Sequence, residues 1–334
     1  MLALSDKVVQ RWKIPDSLSG IRADHYLVYH IGRISRSKAQ KVIASGDFRL
    51  EQQLLKPSRR LKAGDWVELW RVPPDSSDIE HLTIPILYQD ERILALNKPG
   101  NIAIHPSARY LYQTVTHWLK THFPGKPIHP CHRLDRETSG ILLCSQNRAT
   151  DSALKQAFMK GQVEKTYWAF VEGHLDREID CARPLCLQGG RGKVAIKMIE
   201  DSSGFASQTY FRPLRYDPMT DWTLVECKPK TGRQHQIRAH LALEGFPIVG
   251  DKLYSMGEDF FDAYTRGVAD LSQLPLPRQA LHARSIRFEL QSQIYSLECS
   301  HPFFDAFLTP NPDEPSTQLV MDALPGLAET DGLS

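Results

Sequence analysis

The stretch "HPCHRLDRETSGILLCS" (residues 129–145) sets Arg133, Asp135, Arg136 and Glu137 within five positions and then runs into an apolar segment, residues 140–145. A short apolar run behind turn residues reads as a buried strand. Thr138, Ser139 and Gly140 are turn residues that can hold a side chain at the lip of that strand. Arg133 and Arg136 can keep Asp135 ionised, because a cation within a few ångströms lowers a carboxylate pKa. An ionised, positioned carboxylate is competent as a nucleophile or a base.

On either side, short strands and helices interleave irregularly. "ERILALNKPGNIAIHP" (91–106) reads as strand, Pro-Gly turn, strand. "NRATDSALKQAFMKGQ" (147–162) is a helix with Ala153, Leu154, Ala157 and Phe158 on one side and Gly161 as its stop. "EKTYWAFVEG" (164–173) alternates as a strand, with Tyr167, Ala169 and Val171 pointing one way and Trp168 and Phe170 the other. "DWTLVECKPKTGRQHQIRAHLALEG" (221–245) is strand, turn and helix, with Ile237 and Leu241 on one helix face; "LHARSIRFEL" and "IYSLECS" are late strands. Hairpin-like turns favour a mixed, largely antiparallel α+β sheet flanked by helices over a doubly wound parallel one.

Residues 16–72 form a separate small module. Ser35 caps a helix whose apolar face is Ala39, Val42 and Ile43, Gly46 stops it, and Arg36, Lys38 and Lys41 project from its other side. "LKAGDWVELW" (61–70) follows as turn and strand. Residues 73–80 are a linker by composition, residues 81–302 a larger domain, and residues 303–334 an acidic tail rich in Pro, Asp and Glu.

The net charge of +2 is unevenly distributed. Residues 1–75 hold 14 Lys or Arg against 8 Asp or Glu, whereas residues 303–334 hold six acids and no Lys or Arg. A basic amino-terminal piece points to a polyanionic partner. The apolar start is too short for a signal-peptide core, and no window suits a membrane span. The six cysteines (131, 144, 181, 186, 227, 299) are scattered without a CxxC pair, as expected of reduced thiols in a cytoplasmic protein.

Cofactor signals fail. Gly190, Gly192 and Ala195 have dinucleotide-loop spacing without a strand–helix frame. Leu187 and Val194 break a P-loop pattern. His235 and His240 are five apart and do not share a helix face as a zinc pair would. No metal, redox cofactor or nucleotide cofactor is expected.

The motifs "HRLDRETSGILL" (132–143), "EKTYWAFVEG" (164–173), "KTGRQHQIRAHLALEGFPIVGDKLY" (230–254) and "LHARSIRFE" (281–289) occur in the order seen in the RluA family of RNA pseudouridine synthases. The resemblance covers roughly residues 80–302. Residues 16–72 resemble an S4-type RNA-binding domain, which agrees with their basic charge. The resemblance implies a pseudouridine synthase fold and isomerisation of uridine in RNA: the N1–C1′ bond breaks, the base turns, and it rejoins through C5. The reaction is redox-neutral and needs no cofactor.

Carried onto this sequence, the resemblance makes Asp135 the catalytic aspartate and Arg233 the basic residue that pairs with it. Tyr167 is the active-site tyrosine, able to stack on uracil and to take the C5 proton. Arg133 fills the gap left by the extruded nucleotide, with Arg136 and Thr138 touching phosphate or supporting the loop. Arg36, Lys38 and Lys41 contact RNA backbone. Large-subunit ribosomal RNA is the first expected substrate and transfer RNA the second, for a monomer with no membrane association. Two rivals are a non-catalytic RNA-binding or ribosome-assembly protein that retains the fold, which intact Asp135, Tyr167 and Arg233 oppose, and an Asp-nucleophile hydrolase. "DRET" lacks the second Asp such hydrolases place in DxDxT.

Overall fold

The computed structural model describes residues 8–31, 35–71, 82–106 and 113–308. The chain divides into two compact units, residues 1–80 and 81–334. The expected linker at 73–80, and the expected tail beyond residue 308, lie outside the described residues.

The small unit contains strand β1 (Val8–Lys13), helices α1 (Ala23–Ile31) and α2 (Arg36–Ala44), and strands β2 (Phe48–Leu50), β3 (Gln53–Leu54) and β4 (Trp66–Arg71). The sheet is antiparallel in the order β1-β4-β2-β3. Ser35 does cap α2, its hydroxyl accepting from the Lys38 amide at 3.2 Å. Ala39 and Ile43 of α2 bury against Tyr26 and Leu27 of α1 and against Phe48, Val67 and Leu69. A lower boundary at residue 16 omits a strand: β1 pairs with β4 along its whole length, from Val8–Arg71 to Lys13–Trp66.

The large unit is built on strands β5 (Ile86–Gln89), β6 (Ile93–Lys98), β7 (His129–Pro130), β8 (Ser139–Ser145), β9 (Glu164–Glu172), β10 (Ile179–Cys181), β13 (Thr209–Asp217), β14 (Trp222–Pro229), β15 (Leu281–Leu290) and β16 (Gln293–Glu298). Their order is β10-β13-β14-β9-β15-β8-β6-β5, with β16 added to β15 and β7 to β8. The β8–β15 ladder is parallel and the other named pairs are antiparallel, so the sheet is mixed and largely antiparallel as expected. A separate hairpin, β11 (Leu185–Leu187) and β12 (Met198–Glu200), stands outside this sheet. The helices are α3 (Val115–His122), α4 (Arg148–Met159), α5 (Gln236–Leu243), α6 (Gly257–Arg266) and α7 (Pro302–Leu308).

Every residue of β8 is buried, because the strand lies between β15 and β6. An inner strand covered on both faces needs an unbroken apolar run, and "GILLC" supplies it. Two expectations differ. Among the described residues no second strand follows Pro99-Gly100; a single bridge, Ala103–Thr114, forms there. The carbonyls of Pro99 and Ile102 turn instead to the buried Lys98 amine, at 2.7 and 3.0 Å. The acidic tail does not begin at 303, because α7 carries Phe303 and Phe304 into the core, with ring centres 4.9 and 5.1 Å from Phe170.

Candidate active site

The charged loop ahead of β8 is held from beneath at nearly every residue. Lys98 donates to the Arg136 carbonyl at 3.1 Å. Arg278 donates to the Glu137 carbonyl at 3.0 Å, and Lys252 to the Glu137 carboxylate at 2.9 Å. Gln279 donates to the Thr138 hydroxyl at 2.8 Å, and Ser139 meets His282 at 3.0 Å. Gly140 has φ 103°, and a Cβ there would stand 2.3 Å from the Ala283 carbonyl oxygen. No side chain fits where β8 and β15 run parallel, so glycine allows the loop to leave the sheet at this point.

Asp135 stands on this platform. Arg238 donates to Asp135 Oδ2 from Nη1 at 2.8 Å, and to Asp251 from Nε at 2.6 Å and Nη2 at 2.9 Å. The Arg238 side chain is 8% exposed and that of Asp251 fully buried. Asp251 also accepts the amides of Leu253 and Tyr254. One buried guanidinium thus lies between two carboxylates, and the forked bond to Asp251 fixes the hand it offers to Asp135. Among the described residues Asp135 Oδ1 has no hydrogen bond, and 20% of the side chain remains open.

Burial opposes ionisation of Asp135, but His235, Arg238 and Arg133 outweigh it and hold the carboxyl below its ordinary value. His235 itself is pushed down to about 4, chiefly by burial and then by Arg238. Its ring is therefore neutral at pH 7, and the arginines keep Asp135 charged there. The His235 backbone at φ 50° lies in the left-handed region, a strained choice for a residue with a side chain. It allows the chain to turn sharply into α5 with the ring 3.2 Å from the Tyr254 hydroxyl.

Asp135 lines a cavity of about 770 Å³ with Tyr167, Leu281, Ile237 and a set of cations: Arg133, Lys155, Lys160, Lys165, Lys230 and Arg233. Lys155 is engaged by Asp151. Lys160, Lys165 and Lys230 form no ion pair among the described residues, and Arg133 acts on Asp135 without a direct ion pair. Burial, and then the charge of Asp135, raise the Tyr167 phenol above its ordinary value, so it is protonated at neutral pH. The chamber therefore couples one anionic oxygen and one neutral phenol to a surplus of positive charge.

Residues 92–243 match the RNA pseudouridylate synthase family. The chain is 31% identical to "Ribosomal large subunit pseudouridine synthase C" of Vibrio cholerae over 309 residues, 88% of this chain and 93% of that one. The chain belongs to the RluA-type family of RNA pseudouridine synthases. It is 29% identical to "Ribosomal large subunit pseudouridine synthase D" of Zymomonas mobilis, over 82% of this chain and 88% of that one. Among solved structures it resembles human RNA pseudouridylate synthase domain containing 1, with a TM-score of 0.55 and 26% identity over 75% of this chain and 96% of that one.

As a pseudouridine synthase, this enzyme is an isomerase, and its geometry revises the residue expectations. Asp135 and Tyr167 line one cavity, with Arg133 exposed at its edge. The partner of Asp135 is Arg238, not Arg233. Helix α5 begins only at Gln236, whose side-chain oxygen accepts the Arg233 amide at 2.9 Å. Arg233 therefore precedes the first helical turn and is exposed, whereas Arg238 lies within a run, 236–241, that is buried throughout. An arginine inside such a helix needs an acid, and that requirement was the available signal.

Thr138 is 2% exposed, and its hydroxyl accepts from Gln279. The Arg136 guanidinium is tied to Glu137 at 3.0 Å and to the Tyr264 hydroxyl at 2.6 Å. Of the two tasks expected for these residues, their contacts carry loop support. In the small unit Lys38 and Lys41 are exposed, while Arg36 donates to the buried Asp24 at 3.0 Å. The sequence reading missed Arg238, Asp251, Lys98, Arg278 and Lys165. Among the described residues no helix is long and apolar enough to cross a membrane.

Proposed function

We propose that this enzyme converts uridine to pseudouridine in large-subunit ribosomal RNA. The observation that carries the reading is the half-used carboxylate of Asp135: ionised, anchored through Oδ2, and free at Oδ1 within a cavity ringed by cations. A uridine enters once it is flipped from its stack, at a cost of a few kcal/mol. Arg133, two residues before Asp135, offsets part of that cost by stacking its guanidinium in the vacated space. Phosphates beside the flipped base meet Lys160, Lys165 and Lys230.

Asp135 then acts on the sugar or the base as the N1–C1′ bond opens, and Arg238 keeps it charged without occupying Oδ1. Tyr167 packs against the uracil. Because its phenol is protonated at rest, it can take the C5 proton only after passing its own proton on. The small unit is read as an S4-type RNA-binding domain in which Lys38 and Lys41, with part of Arg36, contact phosphates. The reading includes a cytoplasmic location, supported by six cysteines without disulfides. The ribosomal target is supported by the names of the two bacterial relatives.

The test is tritium release from RNA labelled at uridine C5, since the isomerisation replaces that C–H bond with the glycosidic bond. Unmodified large-subunit ribosomal RNA and bulk transfer RNA are run in parallel with wild type and Asp135→Ala. Release from ribosomal RNA alone, abolished in the variant, is expected. Release from transfer RNA alone moves the target. No release from either, with RNA binding intact, removes the catalytic reading for free RNA.

A further inference from the structure

The pairing of Asp135 with Arg238 leaves Arg233 without its expected role, and its surroundings assign it another. Its guanidinium carbon lies 5.2 Å from the centre of the Phe205 ring. Its Nε donates to the Ala206 carbonyl at 3.3 Å, and its amide is fixed by Gln236. Phe205 is 66% exposed, a large aromatic ring standing in water.

That ring does not hang from a loose loop. Phe205 and Leu185 exchange two backbone hydrogen bonds, 2.9 and 3.0 Å, and the buried Leu185 belongs to β11. Gly204 lies so close that a Cβ would stand 2.7 Å from the Leu185 carbonyl carbon. The backbone presents the ring rigidly, and Arg233 steadies it while itself lining the cavity that holds Asp135.

An exposed aromatic ring capped by a guanidinium, at the mouth of a cation-lined cavity, has the chemistry of a base-stacking platform. Every nucleobase offers a π face to such a pair, and the cations alongside suit the phosphates that join successive bases. A neutral apolar protein segment would leave Arg233 and Lys230 uncompensated. We infer that Phe205 and Arg233 form a stacking subsite for an unpaired RNA base flanking the target uridine. The inference rests on the RNA-modifying reading above and names a subsite of that reading.

Two probes separate stacking from charge: a single-stranded oligouridylate of about twelve nucleotides, and a phosphodiester chain of equal length without bases. Wild type is expected to bind the oligouridylate more tightly. Phe205→Ala is expected to weaken that binding by about 5- to 100-fold, to leave binding of the abasic chain unchanged, and to leave the salt dependence unchanged. Phe205→Trp is expected to restore the preference, and all three proteins to unfold at the same temperature because the ring is exposed. In the tritium assay Phe205→Ala should raise KM and leave kcat in place. Equal affinity of wild type and Phe205→Ala for the oligouridylate overturns the inference, as does a Trp variant no better than Ala. If wild type releases no tritium but the binding preference appears and disappears as stated, the subsite stands and the catalytic reading fails.

Discussion

Asp24 in the small unit and Asp135 in the large one are both carboxylates drawn below their ordinary pKa by arginine, yet they are engaged to different degrees. Asp24 is fully buried. Arg22 grips both of its oxygens at 3.0 Å, Arg36 and Gln40 add bonds to Oδ2 at 3.0 and 2.9 Å, and the His25 amide binds Oδ1. Its depressed pKa comes first from Arg22, against the opposition of burial, with Gln40 and Arg36 assisting. A carboxylate has about four lone-pair sites, and Asp24 has them filled; it fastens α1 to α2. Asp135 spends one oxygen on Arg238 and keeps the other. Saturation makes a knot, and partial saturation makes a reagent.

Removing Arg238 should break this contrast most severely. Arg238→Met leaves the fully buried Asp251 and the partly exposed Asp135 with no cation between them, and breaking the buried pair with Asp251 costs about 3–5 kcal/mol. Urea unfolding measures that loss. Activity should fall as well, through the charge on Asp135. With a folded pKa below the ordinary value of about 3.9, Asp135 supports activity and stability above that value and loses both as pH falls through its folded pKa. Without Arg238 one of the groups that oppose burial is lost while His235 and Arg133 remain, so the pKa rises and the acid limb of the pH–rate profile moves to higher pH. An acid limb left in place would show that Arg238 does not hold the charge.

How much of this was legible in the sequence divides along the same line. The helix after Asn147, the strand at 164–172, the Ser35 cap, the buried run after Gly140 and the α+β class rest on local patterns, and these are present, whereas the strand expected after Pro99-Gly100 is not. Asp135 and Tyr167 each stand in a contiguous motif, and the fold brings both to one cavity. The Asp135–Arg238 pair spans 103 residues and no local rule joins its members. Arg233 and Arg238 share one short motif, and choosing between them required knowing where α5 begins; the left-handed turn at His235 delays that start. Strand β1 and the two phenylalanines of α7 were passed over because each lies at a segment end with mixed polarity, where only the partner element shows that it is packed.

A smaller effect, confined to the other side of the comparison, is expected from Asp24→Ala. Four side-chain donors and one amide lose their acceptor, yet Arg22 and Arg36 are 31% and 53% exposed and can turn to water. The cost should be about 1–3 kcal/mol. It should appear in hydrogen exchange of α1 and α2 while the amides of β8 keep their protection. If β8 exchanges faster by the same factor, Asp24 supports more than its own unit.

The smallest effect concerns the cations. Arg36 shares its charge with Asp24, whereas the side chain of Lys165, two residues before Tyr167 on β9, has no hydrogen bond or ion pair among the described residues, and burial alone pushes its pKa down. A burdened, unpaired amine in the cavity is poised to take a phosphate, which restores the partner it lacks. Lys165→Met should therefore reduce the slope of log affinity against log salt by about 0.7, the value of one phosphate contact on a single strand. Arg36→Met should reduce it by less, because Asp24 already neutralises part of that guanidinium. Titrating both variants with one RNA across several salt concentrations reads the difference directly. Equal slopes would mean that engagement within the fold does not decide which cations meet RNA.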